Sequence, residues 1–223
     1  MACPRSGAPS SLLQSPRDVV LATRGPHGFF ERFFSSVWPW FRQERVRHQH
    51  SDGQGKARTI KRVRFEIIMS QPSVQEMYAP TSICFGCGPT NNEGLRIASH
   101  RIEGGLQMEF TPEEHHQAFP GMVNGGIIGT LLDCHGNWTA AIALMDAQGA
   151  DEPPCTVTAR YEVNLRRPTP LGEKLTVVGL AKEVSSDRVL VELTMTAAGK
   201  ICATGNGLFV AVKEGHPAYH RWS

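Results

Sequence analysis

No stretch of this 223-residue chain approaches the roughly 20 uninterrupted apolar residues that span a bilayer, which argues against a helical membrane protein. No hydrophobic signal segment precedes its six cysteines, and the chain is long enough to fold without staples. Reduced thiols and a cytoplasmic protein are therefore expected, soluble or peripheral. There is no Gly-x-Ser-x-Gly elbow and no Walker loop, and "GCGPTN" departs from a dinucleotide fingerprint at its last glycine. Serine-hydrolase and nucleotide-enzyme readings lose their support. Cys84 and Cys87 form one Cys-x-x-Cys without a second pair, while Cys134, Cys155 and Cys202 have the spacing of helix or strand residues, so no metal site is expected. Cys134 and His135 are helix neighbours that do not face each other, which disfavours a Cys-His nucleophile. The most informative shortage is local: residues 119–141, "FPGMVNGGIIGTLLDCHGNWTAA", hold no Lys or Arg and a single acid, Asp133.

The formal net charge of +2 hides two unlike parts. Residues 1–68 carry 12 Lys or Arg against 5 Asp or Glu, leaving 11 against 16 in the remainder. Residues 1–68 lack sustained periodicity and are expected to be a disordered or non-native extension. Their acid-free first 17 residues suit an organelle transit peptide, and Phe29, Phe30, Phe33, Phe34 and Val37 would share one helical side able to lie on a membrane surface. Met69 is an alternative start. The basic run "KARTIKRVR" reads as a solvated charge run rather than a nucleic-acid site. Residues 69–93 read as a lead-in loop, 94–213 as the folded domain and 214–223 as a tail.

Within 94–213 the pattern is that of an α+β domain, with about five or six antiparallel strands and one long helix. "VLVELTMTA" sets Val189, Val191, Leu193, Met195 and Ala197 on one side; "GLQMEFT" does the same with Leu106, Met108 and Phe110. "CTVTARYEVNLR" alternates over twelve residues, with Cys155, Val157, Ala159, Tyr161, Val163 and Leu165 opposed to Thr156, Thr158, Arg160, Glu162, Asn164 and Arg166. "KLTVVGLAKEV" and "KICATGNGLFVAV" are looser strands, and "RRPTPLGE", "SSD" and "AAGK" are the turns.

The helix spans Gly125 to about Ala147. Ile127, Ile128, Leu131, Leu132, Trp138, Ile142 and Met145 give it a stripe to bury on the sheet. The opposite side collects Gly126, Gly129, Thr130, Asp133, Asn137 and Ala140. Small residues gain nothing from water, and each glycine costs a helix about 1 kcal/mol, so this face is expected to lie under a second subunit or a bound molecule. A carboxylate there either pairs with a partner-subunit group such as Arg160 or serves as a general base. Asn124, Gly125 and Gly126 stand where the helix begins, an N-cap with unpaired N–H groups that can form an oxyanion hole.

At these residues the chain resembles the hotdog-fold acyl-CoA thioesterases of the 4-hydroxybenzoyl-CoA and phenylacetate-pathway type, over roughly residues 80–213. The likeness rests on residues 119–141, which follow a His-Gly-Gly pattern with an acid nine positions after the His, and is supported by "CFGCGPTNNEGL" and "NLRRPTPLGE". It implies a sheet wrapped around one long helix, a homodimer or dimer of dimers, and an acyl- or aryl-CoA held at the subunit interface. It further implies that Gly126 offers its N–H to the thioester carbonyl and that Asp133 activates water or attacks directly. Asn124 stands at the family's His position and Ala118 where an Asn often lies, so Asn124 is cast as a positioner that cannot carry a proton. Gly125, Thr130 and Asn137 are candidate substrate contacts, and Arg166 and Arg167 candidate partners for the coenzyme A phosphates. Thioester hydrolysis asks for no cofactor. The rival readings are a non-hydrolytic acyl-CoA or lipid-binding module and an assembly subunit.

Overall fold

The computed structural model of the chain describes residues 71–220. The expectations for residues 1–68 and for Met69 lie outside them. A short helix, α1 (Val74–Tyr78), opens the described chain behind a reciprocal Ser73–Glu76 capping box. Then come β1 (Ser99–Ile102), β2 (Gly105–Phe110), a 3-10 turn (Glu114–His116), and the small pair β3 (Gln117–Phe119) and β4 (Met122–Val123). The long helix α2 (Gly125–Gln148) precedes β5 (Thr156–Leu165), β6 (Leu175–Val184), β7 (Arg188–Ala197) and β8 (Lys200–Ala211).

Six strands form one antiparallel sheet in the order β1-β2-β6-β7-β8-β5. Tight turns fix its registers. β7 and β8 join through Ala198 and Gly199, both with positive φ (47° and 73°), the backbone that matches strand twist in a two-residue hairpin. The sheet curls around α2, which packs on β2, β5, β6, β7 and β8. Leu131, Leu132, Trp138 and Leu144 of α2 meet Leu106, Met108, Val177, Val191, Leu193, Met195 and Phe209, all buried, and the expected apolar sides of β2 and β7 face this core. Val74, Ala79, Cys87, Leu95 and Ile97 belong to the same core, so the segment before β1 packs with the sheet and helix.

Two details differ from the sequence reading, and both place the site. The helix is enclosed nearly all round along its middle: Gly129, Asn137 and Ala140, on the side opposite the apolar stripe, are buried within the chain's own fold. The second detail is a β-bulge in β5. Thr158 pairs with Phe209 and Arg160 with Leu208, so Ala159 is an extra residue that shifts the phase of the strand. Strict alternation puts Thr156 and Thr158 on the solvated side. With the bulge, Thr156 and Thr158 reach α2 before it, and Tyr161, Val163 and Leu165 reach α2 after it.

At Gly136, α2 approaches the sheet closely. A Cβ there would lie 2.6 Å from the ring of Phe209 and 3.1 Å from Leu193 Cδ1. Gly136→Ala gains about 1 kcal/mol of helix propensity but overpacks a closed core by about 1–3 kcal/mol. A net loss is expected, read as a lower urea midpoint; an unchanged or higher midpoint would mean that the Phe209 ring yields freely.

Candidate active site

The start of α2 is held from three sides. Val123 N donates to Thr169 O (2.9 Å), Asn124 N donates to His116 O (2.8 Å), and Asn124 sits at the N-cap with extended backbone (φ −64°, ψ 136°). Its side-chain Oδ1 accepts the Gly126 N–H at 2.7 Å. The donor that the family resemblance assigns to the thioester carbonyl is thus engaged by the cap. First-turn amides have no partner within the helix, and the cap satisfies one of them.

Asp133 lies two turns further along, half-buried. Thr158 Oγ1 donates to its Oδ1 at 2.7 Å. Behind Thr158 stands Asn137, whose Nδ2 donates to Thr158 Oγ1 (3.5 Å) and whose Oδ1 accepts from Thr156 Oγ1 (2.7 Å). The hydroxyl of Thr158 is thereby turned toward the carboxylate. The other carboxylate oxygen, Oδ2, has no hydrogen-bond partner among the described residues. Asp133 is therefore oriented but not neutralised.

A cavity of about 310 Å³ runs along this face, walled by Gly125, Gly126, Gly129, Thr130 and Asp133 of α2 and by Tyr161, Val163 and Leu165 of β5. The small residues now have a cause inside the chain. A Cβ on Gly129 would lie 2.9 Å from Tyr161 Oη, and one on Gly125 would lie 3.5 Å from Leu165 Cδ1. This corrects the expectation that only a second subunit or a ligand covers the face: strand β5 covers part of it. Burial first, then the negative charge of Asp133, raises the pKa of the Tyr161 phenol, which stays a neutral O–H on the cavity wall.

Of the expected site residues, Asn124, Gly125, Gly126, Thr130 and Asp133 come together at this cavity or its rim. Thr130 spends its hydroxyl on Gly126 O (3.0 Å). Asn137 does not line the cavity; it is buried behind Asp133 and holds the two threonines. Arg166 and Arg167 follow Leu165 on the exposed surface, outside the cavity lining, with Arg166 Nε donating to Thr204 Oγ1 (3.3 Å). Two residues were missed. Tyr161 was legible as a same-side neighbour of Val163, whereas Thr158 was hidden by the bulge.

No family model matches the chain, and none of the curated proteins compared with it matches. Solved structures do. The chain is 35% identical to a thioesterase superfamily protein from Shewanella loihica PV-4, covering 52% of this chain and 91% of that one, with a TM-score of 0.45. A second thioesterase superfamily protein is 23% identical over 74% and 82% of the two chains (TM-score 0.48). A hypothetical thioesterase from Streptococcus pneumoniae TIGR4, solved with coenzyme A, is 15% identical over 52% and 85% (TM-score 0.45). The identity over nine-tenths of the Shewanella chain carries the assignment: this chain belongs to the thioesterase superfamily. Its antiparallel sheet curled around one long helix is the hotdog fold.

Proposed function

We propose that the chain hydrolyses an acyl- or aryl-coenzyme A thioester in the cavity between α2 and β5. The observation that carries this reading is the Asp133 carboxylate, fixed by Thr158 with its second oxygen free, on the same cavity wall as the amides that open α2. Water attacks the thioester carbonyl carbon as Asp133 Oδ2 takes a water proton. The developing oxyanion turns to the first-turn amides, where the helix dipole favours negative charge. Collapse breaks the C–S bond, and the thiolate leaves and recovers a proton from Asp133 or solvent. For the Gly126 N–H to join, Asn124 Oδ1 has to release it, so one carbonyl oxygen exchanges for another at the same donor.

A second copy of the chain is proposed to complete the cavity, giving a homodimer or a dimer of dimers. Strand β5 is an edge of the sheet, ten residues long, and Tyr161 and Leu165 on it are 40% and 57% exposed. Arg166 and Arg167, at the end of that strand, are placed to meet the coenzyme phosphates. No described helix is long and apolar enough to cross a membrane.

The test is turnover of a panel of acyl- and aryl-CoAs by the purified full chain, with free-thiol detection. Turnover of at least one member is expected. Tight coenzyme A binding without turnover across the panel would instead select the non-hydrolytic module, which the capped Gly126 N–H and the Asn124 substitution favour. Thr158→Val keeps the volume but removes the bond that orients Asp133. Hydrogen bonds to charged groups contribute about 1.5–3 kcal/mol, so kcat is expected to fall about tenfold or more with little change in KM. An unchanged kcat would remove Thr158 from the site.

A further inference from the structure

The fold gathers three thiols that the sequence keeps far apart. Cys84 and Cys87 lie in the loop before β1, and Cys134 projects from α2 beside Asp133; their Sγ atoms lie within 4.8 Å of one another, with Cys84 and Cys134 at 4.0 Å. Cys87 and Cys134 are buried and Cys84 is half-buried, so the cluster opens to solvent on one side only.

Its surroundings are those of a thiolate site rather than of chance neighbours. The Trp138 indole Nε1–H donates to Cys87 Sγ at 3.3 Å. The loop is wound tightly: Gly88 N donates to Cys84 O (2.8 Å), and Leu95 and Ile97 N–H groups donate to Phe85 and Gly86 carbonyls. Two glycines make the winding possible. A Cβ on Gly86 would collide with Cys134 Sγ, and one on Gly88 would lie 2.5 Å from Cys84 N and from Ser82 O.

We propose that Cys84, Cys87 and Cys134 form a metal site for a thiophilic divalent cation, zinc being the fitting one, with the fourth position on the Cys84 side left to water. With Zn–S bonds of about 2.3 Å, tetrahedral sulfurs stand about 3.8 Å apart, so the observed cluster needs only a small contraction. Binding forms three S–Zn bonds, and the thiol protons leave to the buffer. Softer Cu(I) would suit three thiolates as well, and metal analysis separates the two. The sequence reading expected no metal because it found no second Cys-x-x-Cys pair and took Cys134 for an ordinary helix residue, whereas the third proposed ligand comes from that helix. The role of the site is to pin the 82–97 loop on α2, where Gly86 also meets Thr130 of the cavity wall. The proposal stands whether or not the cavity hydrolyses thioesters.

The full chain, purified under reducing conditions without chelator, is expected to carry about one zinc per chain by elemental mass spectrometry. Cys84→Ser, Cys87→Ser and Cys134→Ser should each lower that content about tenfold or more, with Cys155→Ser and Cys202→Ser at the wild-type level. Should a serine variant fail to fold, the wild type still answers. After chelation and zinc titration, three thiols should gain protection from alkylation, and cobalt should give a tetrahedral thiolate spectrum. A chain that takes up no metal and alkylates equally with and without zinc overturns the proposal, as does a persistent Cys84–Cys134 disulfide in reduced preparations.

Discussion

Asp133→Asn is expected to lower kcat/KM for thioester hydrolysis by about two orders of magnitude or more, the range lost when a positioned general base is removed. The substitution is chosen because it isolates the proton. An Asn Oδ1 still accepts from Thr158 Oγ1, whose 2.7 Å bond orients the native carboxylate, so volume, packing and the Thr156–Asn137–Thr158 chain survive. Thermal stability should therefore stay near wild type while turnover falls, and KM should change little because the coenzyme contacts proposed above are other groups. The residual rate reports what the first-turn amides and substrate positioning contribute alone. A base and a nucleophile also part here: turnover in isotopically heavy water labels the Asp133 carboxylate only if that carboxylate attacks the carbonyl itself. Unlabelled Asp133 is expected. An Asp133→Asn enzyme of full activity would move the chemistry elsewhere, and binding of coenzyme A without hydrolysis by either protein would leave the cavity as a docking site.

Legibility from sequence follows the range of the forces involved. Helix α2 was readable because its cap at Asn124 and its apolar stripe are local; the structure adds its end, at Gly149 in the left-handed region. β7 was readable because every second side chain is buried without interruption. β5 was readable as a strand but not in its facing. One unpaired residue, Ala159, converts a single alternating strand into two half-strands that both serve the helix. That shift decides which side chains orient Asp133, so the second layer of the site was closed to a period-two reading. Nor could sequence show that β5 accounts for the small residues of α2, because the contact between Gly129 and Tyr161 joins positions 32 apart. The cysteine cluster was hidden for the same reason. Cys84 and Cys134 are 50 residues apart, and only the tertiary fold makes them neighbours.

His135 supplies the second large effect, on stability rather than catalysis. It is wholly buried, and its Nε2–H donates to Leu106 O at 3.1 Å, which leaves Nδ1 to accept from Ser99 Oγ at 2.9 Å. Ser99 is in turn clasped by the buried Gln75, through Nε2 to Oγ (3.0 Å) and Ser99 N to Oε1 (2.8 Å). The ring is thus a neutral strut between α2, β2 and the segment ahead of β1. Burial, opposed by the Leu106 carbonyl, pushes its pKa down from 6.5 to about 4. The unfolded chain therefore binds a proton at pH values where the folded chain does not. The stability from this residue is fully present above about pH 6.5 and declines as pH falls toward about 4, by about 3 kcal/mol in all. Denaturant melts between pH 7 and 4 should show that slope. His135→Leu should flatten it and, at pH 7, cost about 2–4 kcal/mol, because Leu106 O and Ser99 Oγ lose a partner inside the core. A wild-type stability that does not fall over this interval beyond that of His135→Leu would mean that the ring accepts a proton without unfolding, contrary to its enclosure.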